Sequence, residues 1–218
     1  MNDISTEPGA PPRQTILAAA TTLFGERDYP AVSIRDIARA VGMLPGSIYA
    51  FVTSKQAMLH EIVDVGIREF LAAVGSIDAG LTPGERLRQA VAAHLSLVAG
   101  NPERALVVFH QWRFLEESAR ADVVASRRRY EMYYREIISD GVQSGAFRAD
   151  LNIRFATLAV LGALNWAPEW VAPTGLEPAP TDVPIADFLL AALAAGYPPT
   201  PTVEQLFVGQ TCNLHVDE

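Results

Sequence analysis

The chain has one cysteine, Cys212, one lysine, Lys55, and four histidines in 218 residues. A single cysteine cannot close an intrachain disulfide, which fits a reducing compartment. The histidines, His60, His94, His110 and His215, are dispersed and lack the spacing of a metal-ligand set, so neither a metal nor another cofactor is expected. Long hydrophobic runs are missing too. No stretch reaches the roughly 18 uninterrupted apolar residues that a membrane span needs. The opening MNDISTEPGAPP carries acids and prolines where a signal peptide would be apolar. The expectation is a cytoplasmic protein with no membrane association. GxSxG, HExxH and phosphate-loop patterns are absent, so no catalytic residue can be named and an enzyme is not expected.

What is present is a large apolar fraction, 50% of the chain, enough for a substantial core. The net charge of −8 argues against nucleic acid covering the whole surface, but the charge is uneven. From Ala10 to His60 there are five bases (Arg13, Arg27, Arg35, Arg39, Lys55) and three acids (Glu26, Asp28, Asp36), so this segment is +2 and the remainder −10. A mildly basic end on an acidic body suits a local nucleic-acid module. Chance gives segments of this length similar imbalances. Sixteen of the seventeen bases are arginine, in keeping with a general bias toward Ala, Arg and Pro.

Helical periodicity runs through most of the chain, and no strand alternation is convincing. Ile16, Leu17, Ala20, Leu23 and Phe24 predict a first helix from Pro12 to Gly25. Ser33-x-x-Asp36 reads as a capping box opening a second, with Ile34, Ile37, Ala38 and Val41 as its buried stripe and Gly42 as its stop. A turn through Pro45 leads to a third, Gly46–Val52, with Ile48 and Phe51 turned to the core. Thr53-x-x-Gln56 opens a long helix to Val74. Three helices, the last two joined by about four residues, make a helix-turn-helix.

From Thr15 to Leu59 the residues Ile16-Leu17-Ala18-Ala19-Ala20, Leu23-Phe24, Tyr29, Val32-Ser33-Ile34-Arg35-Asp36-Ile37-Ala38, Val41-Gly42, Gly46-Ser47-Ile48-Tyr49 and Ser54-Lys55-Gln56-Ala57-Met58-Leu59 form one distributed pattern. It resembles the DNA-binding region of TetR-family repressors. The chain departs from that family at Leu44-Pro45, commonly a small polar residue and a base, and at Ala50-Phe51-Val52, often a histidine with an aromatic pair.

The resemblance implies that the third helix enters the major groove of double-stranded operator DNA, with Leu44, Pro45, Gly46, Ser47, Tyr49 and Ala50 on the recognition surface. Residue types agree with this. Gly46 lets backbone approach a phosphate without an intervening Cβ, Ser47 can bond a base edge or a phosphate, and Tyr49 can reach a phosphate with its hydroxyl. Lys55 is a point charge suited to a phosphate. Ser33 and Arg35 flank the start of the second helix, where Ser33 serves as N-cap, phosphate ligand or both. One such module reads few bases, so a symmetric pair about 34–36 Å apart, or a multiple of that, is needed to read a palindrome.

Further helices are predicted at Thr82–Gly100, opened by the capping box Thr82-Pro83-Gly84-Glu85, from Asn101-Pro102 to Glu117, from Ser118 to about Gly141–Gly145, from Asn152 to Asn165 or Trp166, and from Asp182-Val183-Pro184 to Ala195. The Asn101–Glu117 helix is apolar all round (Leu106, Val107, Val108, Phe109, Trp112, Phe114, Leu115) and must be buried on several sides. Arg127, Tyr130 and Tyr134 share one face. Either they line a polar cavity, or the two phenols reach solvent or backbone. The Ala-, Leu- and Gly-rich last helices, with Leu158, Leu161, Gly162 and Asn165, then Phe188, Leu189, Ala192 and Leu193, suit an intersubunit four-helix bundle, an intrachain core claiming part of that surface.

A second resemblance is carried by His110-Gln111-Trp112-Arg113, Ala125-Ser126-Arg127-Arg128-Arg129-Tyr130, Gly145-Ala146-Phe147-Arg148 and Gly162-x-x-Asn165-Trp166…Trp170. It is to the effector domain of repressors of actinobacterial sterol-ring and fatty-acid breakdown, and it implies an acyl-CoA thioester as inducer. The ligand-binding candidates are then Trp112, Arg113, Arg127, Tyr130, Tyr134, Asn165, Trp166 and Trp170. Arginines would meet CoA phosphates, and tryptophans would stack on adenine or line an acyl channel. Trp166 and Trp170 also suit a dimer core, and Arg127–Arg129 a solvated patch.

The expected protein is all-α: a helix-turn-helix module at 12–58, an antiparallel helical bundle at 59–196 that binds ligand and forms a homodimer, and a flexible tail at 197–218. Its expected function is that of a repressor released from palindromic DNA by a small-molecule effector. An activator of the same build and a helical module without DNA affinity are the alternatives.

Overall fold

The computed structural model describes residues 12–169 and 178–195, with side chains described from 184 onward in the second stretch. Among these residues the chain is helical, apart from one isolated antiparallel bridge between Phe147 and Ala194. In chain order the helices are α1 (Pro12–Arg27), α2 (Ile34–Ala40), α3 (Pro45–Ile48), α4 (Lys55–Gly75), α5 (Pro83–Gly100), α6 (Pro102–Leu106), α7 (Glu117–Gln143), α8 (Ile153–Asn165) and α9 (Pro178–Leu193).

Local chemistry sets most boundaries. Two of the three expected capping boxes form, and the one at Thr53-x-x-Gln56 does not: Ser33 and Asp36 exchange side-chain and backbone bonds at the start of α2, and Thr82 and Glu85 do so at α5. Asn101 and Asn152 cap α6 and α8 by accepting from Arg104 N and Phe155 N. Gly42 turns the chain between α2 and α3 at φ +67°, a conformation that favours glycine.

Several boundaries differ from expectation. Helix α1 continues past Gly25 to Arg27. The cap of α4 is Ser54 rather than Thr53, because the Ser54 hydroxyl accepts from Ala57 N at 3.0 Å. Helix α3 ends at Ile48, so Ile48 and Val52 turn inward while Phe51 stands at the surface and not in the core. Helix α9 begins at Pro178 and runs through Pro184. The tail expected at 197–218 lies outside the described residues.

The expected Asn101–Glu117 helix is the largest departure. Helix α6 gives way to a π-helical turn at Val107–Gln111 and then a 3-10 turn at Trp112–Phe114. The reason lies in the packing. Two hydrophobic clusters make up the protein, and this segment feeds both. Val107 and Leu115 join the N-terminal cluster with Phe24, Ile37, Ile48 and Met58, whereas Val108 and Phe109 join the larger cluster with Phe70, Val91, Tyr134 and Leu164. The extra residue of the π turn shifts the register of the side chains that follow it, so that one short segment serves both clusters. Helix α4 also spans both clusters, with Met58–Val63 in the first and Ile67–Val74 in the second.

Candidate functional site

The N-terminal face is built around Ile48. Its side chain is fully buried among Ile16, Phe24 and Ile37 and anchors the four-residue α3. Every other residue from Leu44 to Ala50 is exposed: Leu44 at 76%, Tyr49 at 56%, with Pro45, Gly46, Ser47 and Ala50 between them. A Cβ added at Gly46 would meet nothing within 4 Å. Arg35 and Arg39 are exposed on α2 beside this face, Arg39 pairing with Asp36 at 3.3 Å. Ser33 is occupied as N-cap, accepting from Asp36 N at 3.2 Å.

Lys55 is more embedded than the sequence suggests. Its Nζ donates to Val32 O at 2.5 Å and sits 4.0 Å above the Tyr29 ring, and burial lowers its pKa. It ties the start of α4 to the turn before α2.

The larger domain holds a cavity of about 400 Å³ between α4, the π turn, α7 and α8. Of the expected ligand residues it brings together Trp112, Arg127, Tyr130 and Asn165. Its apolar wall is Ile67, Phe109, Val124, Leu158 and Leu161, and Glu131 and Arg128 stand at its rim. The Arg127 guanidinium lies 4.8 Å over Trp112 and donates to Val108 O at 3.3 Å. It has no ion pair among the described residues; burial lowers its pKa, and the more distant charge of Glu131 opposes that. The buried Oδ1 of Asn165 has no hydrogen-bond partner among the described residues.

Three candidates stand elsewhere. Arg113 is exposed and its Nε donates to His110 O at 2.6 Å, because the 3-10 turn swings it away from the cavity. Trp166 follows the end of α8, 57% exposed and edge-on to His110. Tyr134 lies behind Tyr130, fully buried. Trp170 falls outside the described residues.

The two phenols divide between the expectations, Tyr130 lining the cavity and Tyr134 reaching backbone, and Tyr130 has a further partner in His94. His94 Nε2–H donates to Leu164 O at 3.0 Å, leaving Nδ1 to accept from Tyr130 OH at 2.9 Å. Tyr134 OH donates to Ala90 O at 3.2 Å and lies 3.1 Å from the Tyr130 oxygen. Sequence periodicity places a histidine on the inner face of α5 but carries no signal for its partners.

Burial among Phe70, Phe109 and these phenols pushes His94 from its ordinary 6.5 to about 3. The folded chain therefore keeps this ring neutral while the unfolded chain protonates it below about pH 6.5. Acidification favours unfolding across pH 6.5 to 3, by roughly 1.4 kcal/mol per pH unit from this residue. Urea titrations between pH 7 and 4 should show that loss, with a shallower slope for His94→Gln. Equal slopes would refute the assignment.

A second missed feature joins the two clusters. Gln111, buried at the end of the π turn, accepts from Tyr29 N at 3.1 Å and donates to the Asp28 carboxylate. Asp28 has φ 65° and ψ 144°, a backbone state that non-glycine residues rarely adopt. Phe114 stacks on Tyr29 with ring centroids 6.0 Å apart, and its carbonyl accepts from Gln56 Nε2 at 2.9 Å. The segment that supplies Phe109 and Trp112 to the cavity thus also grips the N-terminal module.

No helix among the described residues is long and apolar enough to cross a membrane. Residues 16–62 match the family described as "Bacterial regulatory proteins, tetR family", and residues 80–193 match "Tetracyclin repressor-like, C-terminal domain". The chain is 26% identical over 169 residues to the HTH-type transcriptional repressor KstR2 of Mycolicibacterium smegmatis, covering 75% of this chain and 80% of that protein. Among solved structures it resembles the TetR-family transcriptional regulator PfmR of Thermus thermophilus, with 30% identity, TM-score 0.73, and 81% and 97% of the two chains covered. It also resembles AibR in complex with isovaleryl coenzyme A and operator DNA, with 27% identity, TM-score 0.71, and 84% and 97% covered. With the outward α3, the all-helical build and matches over both halves, the chain belongs to the TetR family of bacterial transcriptional regulators.

Proposed function

We propose that this protein is a ligand-responsive repressor, a homodimer that holds palindromic operator DNA and lets it go when an acyl-CoA thioester enters the cavity. The observation that carries the DNA half is the orientation of α3, with Ile48 alone turned inward and Leu44–Ser47, Tyr49 and Ala50 facing solvent. Gly46 admits the sugar-phosphate backbone, Ser47 and Tyr49 supply hydroxyls, and Arg35 and Lys55 supply charge to phosphates. Lys55 keeps its remaining N–H groups for that purpose while holding Val32. Ser33 contributes by fixing the start of α2.

Dimerisation is supported by an apolar face on α8 and α9. Phe155, Leu158, Gly162 and Trp166 recur at helical spacing on one exposed side of α8 and its end, and Phe188 stands 72% exposed on α9 beside Ala191 and Ala192. Large apolar side chains interleaved with small ones suit a four-helix contact between two copies.

The ligand half rests on the cavity's chemistry. A guanidinium with no ion pair among the described residues, stacked on a tryptophan beside an apolar wall, suits a molecule with an anionic part and a hydrocarbon part. The likeness to a regulator crystallised with isovaleryl coenzyme A and operator DNA points the same way. Occupation would press on Phe109 and Trp112, shift the π turn that carries Phe109, and loosen the hold of Gln111 on Asp28 and Tyr29. The module would then settle in a spacing that no longer fits successive major grooves.

A gel mobility-shift assay on the DNA flanking the gene tests this reading. A palindrome should be retained at moderate salt and released by CoA thioesters but not by free CoA. Failure to bind any nearby palindrome would refute the repressor, and indifference to every thioester would refute the proposed inducer.

A further inference from the structure

Helix α3 and its flanks carry no side chain able to make a two-point hydrogen bond to a base. From Met43 to Ser54 there is no Arg, Lys, Asn, Gln, Asp or Glu. The polar groups there are the hydroxyls of Ser47, Tyr49, Thr53 and Ser54, and that of Ser54 already caps α4.

What this face offers instead is apolar. Leu44 has the greatest exposure of any large hydrophobic side chain among the described residues. It occupies the N-cap of α3, at φ −73° and ψ 141°, and makes no side-chain capping bond. Ser, Thr, Asp or Asn at this position would satisfy a free amide of the first turn. The chain forgoes that bond and leaves a leucine in water, next to an exposed proline. No contact within the described protein accounts for either choice.

The surroundings indicate what covers it. The face is itself uncharged, and the exposed Arg35 and Arg39 stand beside it on α2, an arrangement complementary to base edges beside a phosphate backbone. In the major groove the one apolar feature on a base edge is the C5 methyl of thymine.

We propose that Leu44 reads thymine methyl groups, so that each operator half-site is specified in part by a thymine packed against this side chain and not by hydrogen bonds from α3. The inference rests on the operator-binding reading above, and the experiment separates the two.

The full-length protein enriches a random duplex pool, and each thymine of the best duplex is then replaced singly by deoxyuridine, which pairs alike but lacks the methyl. At one position per half-site the replacement should weaken binding about four-fold, the effect of burying a single methyl, and about fifteen-fold when made in both half-sites. Leu44→Ala should fold as the parent does and be indifferent to the same replacement. Wild-type indifference to deoxyuridine throughout, or equal sensitivity in Leu44→Ala, would overturn the role of Leu44 while leaving operator binding intact. If no duplex is enriched, operator binding fails and the inference fails with it.

Discussion

A Gly46→Leu variant should fold as stably as the parent and lose operator affinity by about two orders of magnitude. The two halves of this expectation have separate causes. Inside the protein a Cβ at position 46 meets nothing within 4 Å, and the residue is exposed on α3. Its backbone lies outside the positive-φ region, so no strain penalises a side chain. Gly46→Ala should even raise the thermal midpoint slightly, because glycine inside a helix is worse than alanine by roughly 0.5–1 kcal/mol. On DNA the argument reverses. An isobutyl group between helix and phosphate forces the module outward, and overpacking of this kind typically costs about 1–3 kcal/mol at each contact. A dimer meets it twice, which gives the two orders of magnitude at about 1.4 kcal/mol per decade. Thermal melts with fluorescence anisotropy on the operator separate the effects. A Gly46→Leu protein that binds as tightly as the parent would show that this face does not touch DNA.

The second large effect is expected at Arg127. Arg127→Leu should leave operator binding unchanged without ligand and raise the thioester concentration needed for half release by about 10- to 100-fold, the worth of a charge-assisted hydrogen bond of about 1.5–3 kcal/mol. The empty protein loses little. The guanidinium has no ion pair among the described residues, and exchanging a half-buried charge for an apolar group of similar size is often neutral or stabilising. Its stacking on Trp112 is replaced by aliphatic packing. Arg127→Lys should fall between the two, since an ammonium keeps the charge but not the planar fork. Calorimetric titration with the thioester, beside anisotropy on the operator, reads binding and release independently. Unchanged ligand affinity in Arg127→Leu would remove the cation from the site.

The N-terminal module was legible because its determinants are local. Ser33 with Asp36, Gly42 in its turn and Pro45 at the head of α3 act within a few residues of themselves. Helical spacing of Ile16, Ala20, Leu23 and Phe24 on α1, and of Ile34, Ile37 and Ala38 on α2, sets which faces of those helices turn inward. The cavity was only half legible. Periodicity put Arg127, Tyr130 and Tyr134 on one side of α7, but that side divides along its length. Arg127 and Tyr130 reach the cavity, whereas Tyr134 packs behind against Ala90. Trp112 and Arg113 are adjacent in sequence and part company because a 3-10 turn, not an α-helix, carries them.

By itself the sequence determined the helical class, which depends on neighbours three or four positions away, and the charge contrast between the two ends, which is a matter of composition alone. Only the tertiary structure decided that His94 satisfies Tyr130, that Gln111 holds the strained Asp28, and that Lys55 reaches back to Val32. Those bonds join residues 36, 83 and 23 positions apart. No local periodicity encodes them, because they arise only when the packed hydrophobic clusters bring distant polar groups together out of water.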